Sequence, residues 1–308
     1  MEQHFLQSKT WENLEKSEGK QTFRVKTDDF EFFACLESTP IGKYLYCPYG
    51  PTLSRPSSLK KALNALKKLG KSENAIFIRI EPTLNLKSSL KKSGLKKSHD
   101  LNPADTWVLD LPKDENTLKS KLPSRLLRYY RNAEKNGLKI TTSKNPDDVH
   151  FLSKLQNSLA KEKNIGTFDE SHYKNELSAG FATLYLVKKE DEVLAAGLVF
   201  DDHKTRYNLQ GAQSATGAKL HATGILTIQL IFDAKEKDLK TFDFWGIAPE
   251  DANKNHPWAG FTAFKKSFAG TPIHYSGTHD LPLNPLKYKL YLFLRTANRL
   301  KRKIIPRR

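Results

Sequence analysis

The 308-residue chain is short of cysteine, methionine and negative charge. Two cysteines, Cys35 and Cys47, cannot make a disulfide framework, which fits a reducing compartment and buried thiols. Nine histidines are scattered without paired metal-ligand spacing, so no metal site is expected. No Ser-His-Asp arrangement is visible, and no apolar run approaches a membrane span. The start, Met1-Glu-Gln-His-Phe-Leu6, lacks the basic-then-apolar order of a signal peptide, and a cytoplasmic location is the expectation. What the chain has in excess is positive charge: 51 Lys and Arg against 34 Asp and Glu, a net +17. A balance that far from zero implies polyanionic company, whether nucleic acid, an anionic membrane face or phosphorylated substrates. A hydrophobic fraction of 38% is that of an ordinary globular protein, and the length suits one large domain or two ordinary ones.

The charge is uneven. Residues 55–97 hold twelve Lys or Arg and two Glu, and after Asp280 there are nine basic residues and no acidic one. In that last stretch Tyr288, Leu290, Tyr291, Leu292, Phe293 and Leu294 interleave with or precede Arg295, Arg299, Lys301, Arg302 and Lys303. A basic amphipathic helix of this kind packs on its own protein or rests on anionic lipid.

One pattern occurs twice. In the first half a strand over 43–50 is followed by a helix over 57–69 with Leu59, Leu63 and Leu66 on one face. A strand over 75–80 and a basic helical segment over 87–93 complete it. In the second half the strand is 206–211 and the helix 219–237, with Ile225, Ile228 and Phe232 along one face. The strand 241–244 and a short helix carrying Phe264 follow. Strands over 183–188, 193–200 and 206–211, joined by short acidic turns, form an antiparallel meander leading into this set. That order is the one used by acyltransferases of the GNAT type, so an α/β (α+β) fold with mixed, largely antiparallel sheets is expected. The repeat suggests duplication by pattern and not by residue identity.

Two segments carry the chemistry. Ser124-Arg-Leu-Leu-Arg-Tyr-Tyr-Arg-Asn-Ala-Glu-Lys-Asn-Gly137 reads as a helix capped by Gly137. Arg125, Arg128, Arg131 and Lys135 form one cationic stripe able to grip phosphates, or simply an exposed basic face. His256-Pro-Trp-Ala-Gly-Phe-Thr-Ala-Phe-Lys-Lys-Ser-Phe-Ala-Gly270 follows the strand-like Thr241-Phe-Asp-Phe-Trp-Gly-Ile247. Phe261, Phe264 and Phe268 share a face, and Lys265 is expected to point away from it, its ammonium at a cleft edge facing a phosphate or a developing oxyanion.

Taken in order, these segments resemble the Fem family of peptidoglycan-bridge-forming aminoacyltransferases. The matching pieces include Phe5-Leu-Gln-Ser8 with Trp11, Tyr46-Cys-Pro-Tyr-Gly-Pro51, Ile78-Arg-Ile-Glu-Pro82 and Trp107-Val-Leu-Asp-Leu111. Arg125 to Gly137, Phe242-Asp-Phe-Trp-Gly246, His256 to Gly270 and Tyr275-Ser-Gly-Thr-His-Asp-Leu-Pro-Leu-Asn-Pro285 complete the set. The resemblance implies two GNAT-like domains, residues 1–104 with a returning segment 276–308, and 105–275, without the coiled-coil arm some members carry. It implies an aminoacyl-tRNA donor, a peptidoglycan-precursor acceptor, and no cofactor. Lys265 takes the place of the family's catalytic lysine and Phe264 that of its partner. Thr167 and Tyr173 take the place of residues lining the precursor site, and Glu81 that of an acidic residue once considered a base. Departures are equally specific. Glu15 and Asp169 stand where a lysine and an arginine hold the diphosphate of a nucleotide-linked precursor, with Lys16 adjacent to the first and able to substitute for that lysine in substrate binding, and Leu209 stands for a tyrosine near the acceptor. These departures favour a lipid-linked precursor, with the basic tail adding peripheral contact at an anionic membrane.

Two other readings compete. Acetyl-CoA-dependent N-acylation on the same fold would need a glycine-rich pyrophosphate turn. Gln213-Ser-Ala-Thr-Gly217-Ala-Lys219 offers only an imperfect version, with its glycine out of register. A non-catalytic nucleic-acid or membrane-surface protein would explain the charge but not the surroundings of Phe264 and Lys265.

Overall fold

The computed structural model describes residues 3–84, 86–163 and 166–304. In chain order the first elements are α1 (Lys9–Ser17), β1 (Thr22–Lys26), β2 (Phe30–Thr39), β3 (Gly42–Cys47), β4 (Thr52–Leu53), α2 (Leu59–Ser72), β5 (Phe77–Ile80), α3 (Lys87–Lys92) and β6 (Lys96–Lys97). Next come β7 (Asp105–Asp110), α4 (Glu115–Ser120), α5 (Ser124–Arg131), β8 (Leu138–Ser143), α6 (Val149–Lys163), α7 (Glu170–Ser178), β9 (Ala182–Lys189), β10 (Glu192–Asp201) and β11 (Thr205–Gln213). The last are α8 (Ala215–Lys219), α9 (Ala222–Glu236), β12 (Thr241–Gly246), α10 (Ala259–Lys266), β13 (Thr271–His274), β14 (His279–Pro282) and α11 (Pro285–Ile304). They fall into two compact units, Met1–Ala104 with His274–Arg308, and Asp105–Ile273.

The first unit is built on a sheet ordered β1-β2-β3-β5-β14-β6, with β4 added to β2. β3 and β5 run parallel and are joined through α2, whose Leu59, Ala62, Leu63 and Leu66 are buried on the sheet. β5 is the central strand and every residue of Phe77-Ile-Arg-Ile80 is buried. The one charge among them, Arg79, makes a bidentate pair with Asp280 of β14, at 2.7 and 2.8 Å. The returning C-terminal segment is thereby tied into this unit. β1 and β2, left unassigned by the sequence reading, pair antiparallel from Thr22↔Cys35 to Lys26↔Glu31.

The second unit repeats the scheme in a sheet ordered β8-β9-β10-β11-β12-β7-β13. β8 through β11 form the antiparallel meander, and β11 and β12 run parallel, joined through α8 and α9. Both sheets therefore pass from a meander into a helix-connected parallel pair, and then into an antiparallel strand, β14 or β7. α9 is apolar on most sides, with Ile225, Leu226, Ile228, Leu230 and Ile231 buried against the sheet and α5. Two predicted helices are shorter than their patterns. The segment 219–237 breaks at His221, whose φ of +57° ends α8 and begins α9. The segment 124–137 stops as an α-helix at Arg131. Gly137, at φ +73°, caps a following 3-10 turn, so Lys135 leaves the arginine stripe.

Candidate active site

The site around Lys265 is built where β12 leaves its sheet. The β12–β7 pairing steps from Asp243↔Val108 to Gly246↔Thr106, so β12 carries one extra residue there. Trp245 absorbs it with φ +65°, a conformation costly for a non-glycine residue. The buried Asp243 carboxylate holds the bulge together. Its Oδ1 accepts the Trp245 amide at 2.7 Å and the Thr106 hydroxyl in a short hydrogen bond. The bulge turns the Gly246 carbonyl onto Lys265, whose Nζ donates to it at 2.6 Å.

The helix that carries the lysine is pinned at both ends. The Thr262 hydroxyl accepts the Ala248 amide at 2.8 Å, and Trp107 Nε1 donates to the Phe268 carbonyl at 3.1 Å. Phe268 is fully buried and touches Phe264 edge-on at 5.5 Å. Gly270 passes so close to β7 that a Cβ would sit 2.4 Å from the Val108 carbonyl oxygen, so no larger residue fits.

Part of the Lys265 side chain reaches the surface, but its ammonium is enclosed, and among the described residues Gly246 O is its hydrogen-bond acceptor. Burial lowers its pKa to about 8, against the opposing charge of Asp243. Burial likewise pushes the Asp243 carboxyl up to about 6, opposed by its bonds from Thr106 and Trp245 and by the charge of Lys265. A half-satisfied buried ammonium is an unusual expense for a fold, and such perturbed pairs concentrate at functional sites. Asp243 is the residue that sequence reasoning missed. A carboxylate between Phe242 and Phe244 in a buried strand was the signal.

The structure brings other predicted residues together only in part. Thr167 and Tyr173 meet, their hydroxyls 3.2 Å apart, with Tyr173 buried and Thr167 exposed. Arg125, Arg128 and Arg131 are all exposed. The first two lie over the Tyr129 ring, at 5.5 and 5.7 Å, and that ring stacks on His221 at 4.1 Å. Among the described residues no hydrogen bond or ion pair joins Lys265 to Thr167, Tyr173 or the arginines.

Lys16 and Glu81 belong to the first unit, and both are engaged within it. Lys16 is ion-paired with Glu12 at 2.7 Å. Glu81, buried, accepts from Tyr46, Thr278, the Leu101 and Asn102 amides and the Asn102 side chain. As placed it fastens a loop through both of its oxygens. Glu15 is buried and bridged by Lys20, at 2.6 Å. Lys20 also reaches Glu37 at 3.1 Å, so a cation already sits in the cluster of Glu15, Cys35 and Glu37.

The imperfect acetyl-CoA signature has structural work to do. Gln213 Oε1 accepts the Thr223 amide in the first turn of α9, at 3.1 Å. Gly217 is required by packing, since a Cβ would lie 2.2 Å from the Leu194 carbonyl oxygen.

Known proteins match this architecture. The model of the FemAB family matches residues 1–102 and 152–296, and the chain belongs to that family. Membership places it among the aminoacyltransferases of peptidoglycan cross-bridges at family level. The crystal structure of FemX superposes with a TM-score of 0.78 at 20% identity, covering 93% of this chain and 94% of that one. The C-terminal DUF2156 domain of an Agrobacterium fabrum protein assigned as a lysylphosphatidylglycerol synthetase follows at 0.60 and 16%, covering 94% and 92%. A tandem GNAT protein from the clavulanic acid pathway reaches 0.54 at 10%, covering 85% and 82%. These likenesses show the fold, a mixed α/β structure with two mixed sheets of the GNAT kind. No curated protein matches in sequence.

Proposed function

We propose that the chain transfers an amino acid from aminoacyl-tRNA to an amine on the stem peptide of a peptidoglycan precursor. The observation that carries this reading is the enclosed Lys265 ammonium beside Asp243, in a chain of the FemAB family. The donor ester is already activated, so the chemistry asks for little. A neutral acceptor amine attacks the ester carbonyl, a C–N bond forms, and the tetrahedral oxyanion collapses with loss of the ribose oxygen. The proton released by the amine ends on that leaving oxygen. Lys265 supplies positive charge to the oxyanion, and Asp243, through the Trp245 bulge, fixes where that charge stands. The test is mass spectrometry of lipid-linked precursor incubated with mixed charged tRNAs or with acetyl-CoA. A gain of one amino-acid residue supports the reading, and acetylation alone would end it.

The expected pH profile follows from the ammonium form being the active one. Below pH 8 the rate should rise tenfold per unit, as the neutral fraction of an ordinary acceptor amine rises. Above about 8 Lys265 loses its proton, and that loss cancels the gain, so the profile flattens. The break is measured as kcat/KM against pH. A profile that climbs without a break from pH 6 to 9 would count against the assignment.

Arg125, Arg128 and Arg131 are proposed to contact phosphate of the tRNA. Replacing all three with Ala should weaken tRNA binding and lower the slope of log K against log salt by roughly 2. An unchanged slope in filter binding would leave the stripe a solvated face.

The acceptor is proposed to be lipid-linked. Asp169 is exposed beside Phe168, and a carboxylate there disfavours a free diphosphate. Glu15 contributes less to this argument than its sequence position suggests, because Lys20 offsets its charge.

A further inference from the structure

α11 has two apolar faces, and only one of them is used by the fold. On the inner face Tyr288 and Tyr291 pack their rings on Phe77, at 5.3 and 4.9 Å, with Leu292 in the same cluster. On the outer face Leu286, Leu290 and Phe293 are 79%, 47% and 69% exposed. Spacings of four and three place them within an arc of about 60°. Lys289 flanks that arc on one side and Lys287 on the other, and both are exposed. No acidic residue occurs on the helix or anywhere after Asp280.

We propose that α11 is an interfacial docking helix. It seats Leu286, Leu290 and Phe293 among the acyl chains of an anionic bilayer, with Lys287 and Lys289 at the headgroups. An apolar stripe bordered by lysines on both sides is what such a surface selects. A phosphate backbone would leave the leucines and phenylalanine without a partner. A second copy would bring two wholly basic helices face to face. Among the described residues no helix is long and apolar enough to cross a membrane, so the contact is peripheral. The stripe lies on the turns of α11 before Arg295, within the basic stretch after Asp280 that the sequence marks out. The proposal deepens the lipid-linked reading, but its test needs no catalysis and the two can fail separately.

The experiment is co-sedimentation of the full chain with phosphatidylcholine vesicles, with and without phosphatidylglycerol. Wild type should bind the anionic vesicles, and L286Q/L290Q/F293Q should bind at least about tenfold more weakly with an unchanged melting temperature. K287Q/K289Q should weaken binding and flatten its salt dependence. A Phe293→Trp variant should show added fluorescence quenching by brominated lipid. The proposal is overturned if the triple variant binds vesicles as wild type does, or if binding ignores lipid charge. It is equally overturned if the triple variant instead dissolves a dimer in sedimentation velocity or loses tRNA binding while vesicle binding stays intact.

Discussion

Replacing Lys265 with Ala is expected to lower turnover by about 10²–10³-fold at saturating donor and acceptor, the usual effect of removing one oxyanion donor. The melting temperature at pH 7 should fall only modestly, because the loss of the bond to Gly246 O and of the charge facing Asp243 is offset by removal of a buried ammonium. Burial holds the Lys265 pKa near 8, below its ordinary 10.5, so the unfolded chain binds this proton more tightly than the folded one. The cost of burying the ammonium is therefore fully present at pH 7 and is relieved as pH rises from about 8 toward 10.5. The pH profile of the variant should also lack the break at about 8. Lys265→Arg should not rescue, because a planar guanidinium cannot occupy the position from which Nζ donates to Gly246 O. Near-wild-type turnover in the Ala variant, or a large loss of stability at pH 7, would remove Lys265 from the chemistry.

Much of this fold is legible because its periodicities are local. The meander strands fall within two residues of the observed β9, β10 and β11. Leu59, Leu63 and Leu66 do bury one face of α2. β2 escapes the reading because Phe30-Glu-Phe-Phe-Ala-Cys-Leu36 does not alternate cleanly. Phe32, Phe33, Ala34 and Cys35 are all buried, so both faces of the strand are covered there. The site is less legible for a different reason. The environment of Lys265 depends on a bulge twenty residues upstream, and nothing in the letters Phe-Trp-Gly announces a left-handed tryptophan. Spacing places Lys265 beside a core aromatic but cannot say which carbonyl waits for it. Glu81 shows the converse. The resemblance singles it out, but only the folded loop shows that Tyr46, Thr278, Leu101 and Asn102 use its oxygens.

The first unit offers the largest expected effect on stability. Asp280→Ala should destabilise it by roughly 3–5 kcal/mol, because it strands a buried guanidinium. Arg79 and Asp280 are 1% and 0% exposed, on adjacent strands β5 and β14. The pair joins positions 201 residues apart in sequence and is reinforced by Tyr288, whose hydroxyl donates to Asp280 Oδ2 at 3.1 Å. The Arg79 guanidinium also lies over the rings of Phe77, Tyr44 and Tyr291, so once the carboxylate is gone only the Ser98 and Tyr291 hydroxyls remain, among the described residues, to accept from it, and neither carries a charge. Loss of the pair should loosen β14 first and α11 with it, because Asp280 lies on β14 and accepts from Tyr288 of α11. The readout is hydrogen exchange at the β5 and β14 amides, which separates this unit from the other in a way a single melting curve cannot. Replacing both partners, Arg79→Met with Asp280→Leu, removes the stranded charge and should recover much of the loss. Protection in Asp280→Ala equal to wild type, or a double variant no better than the single one, would show that the pair does not hold the returning segment in place.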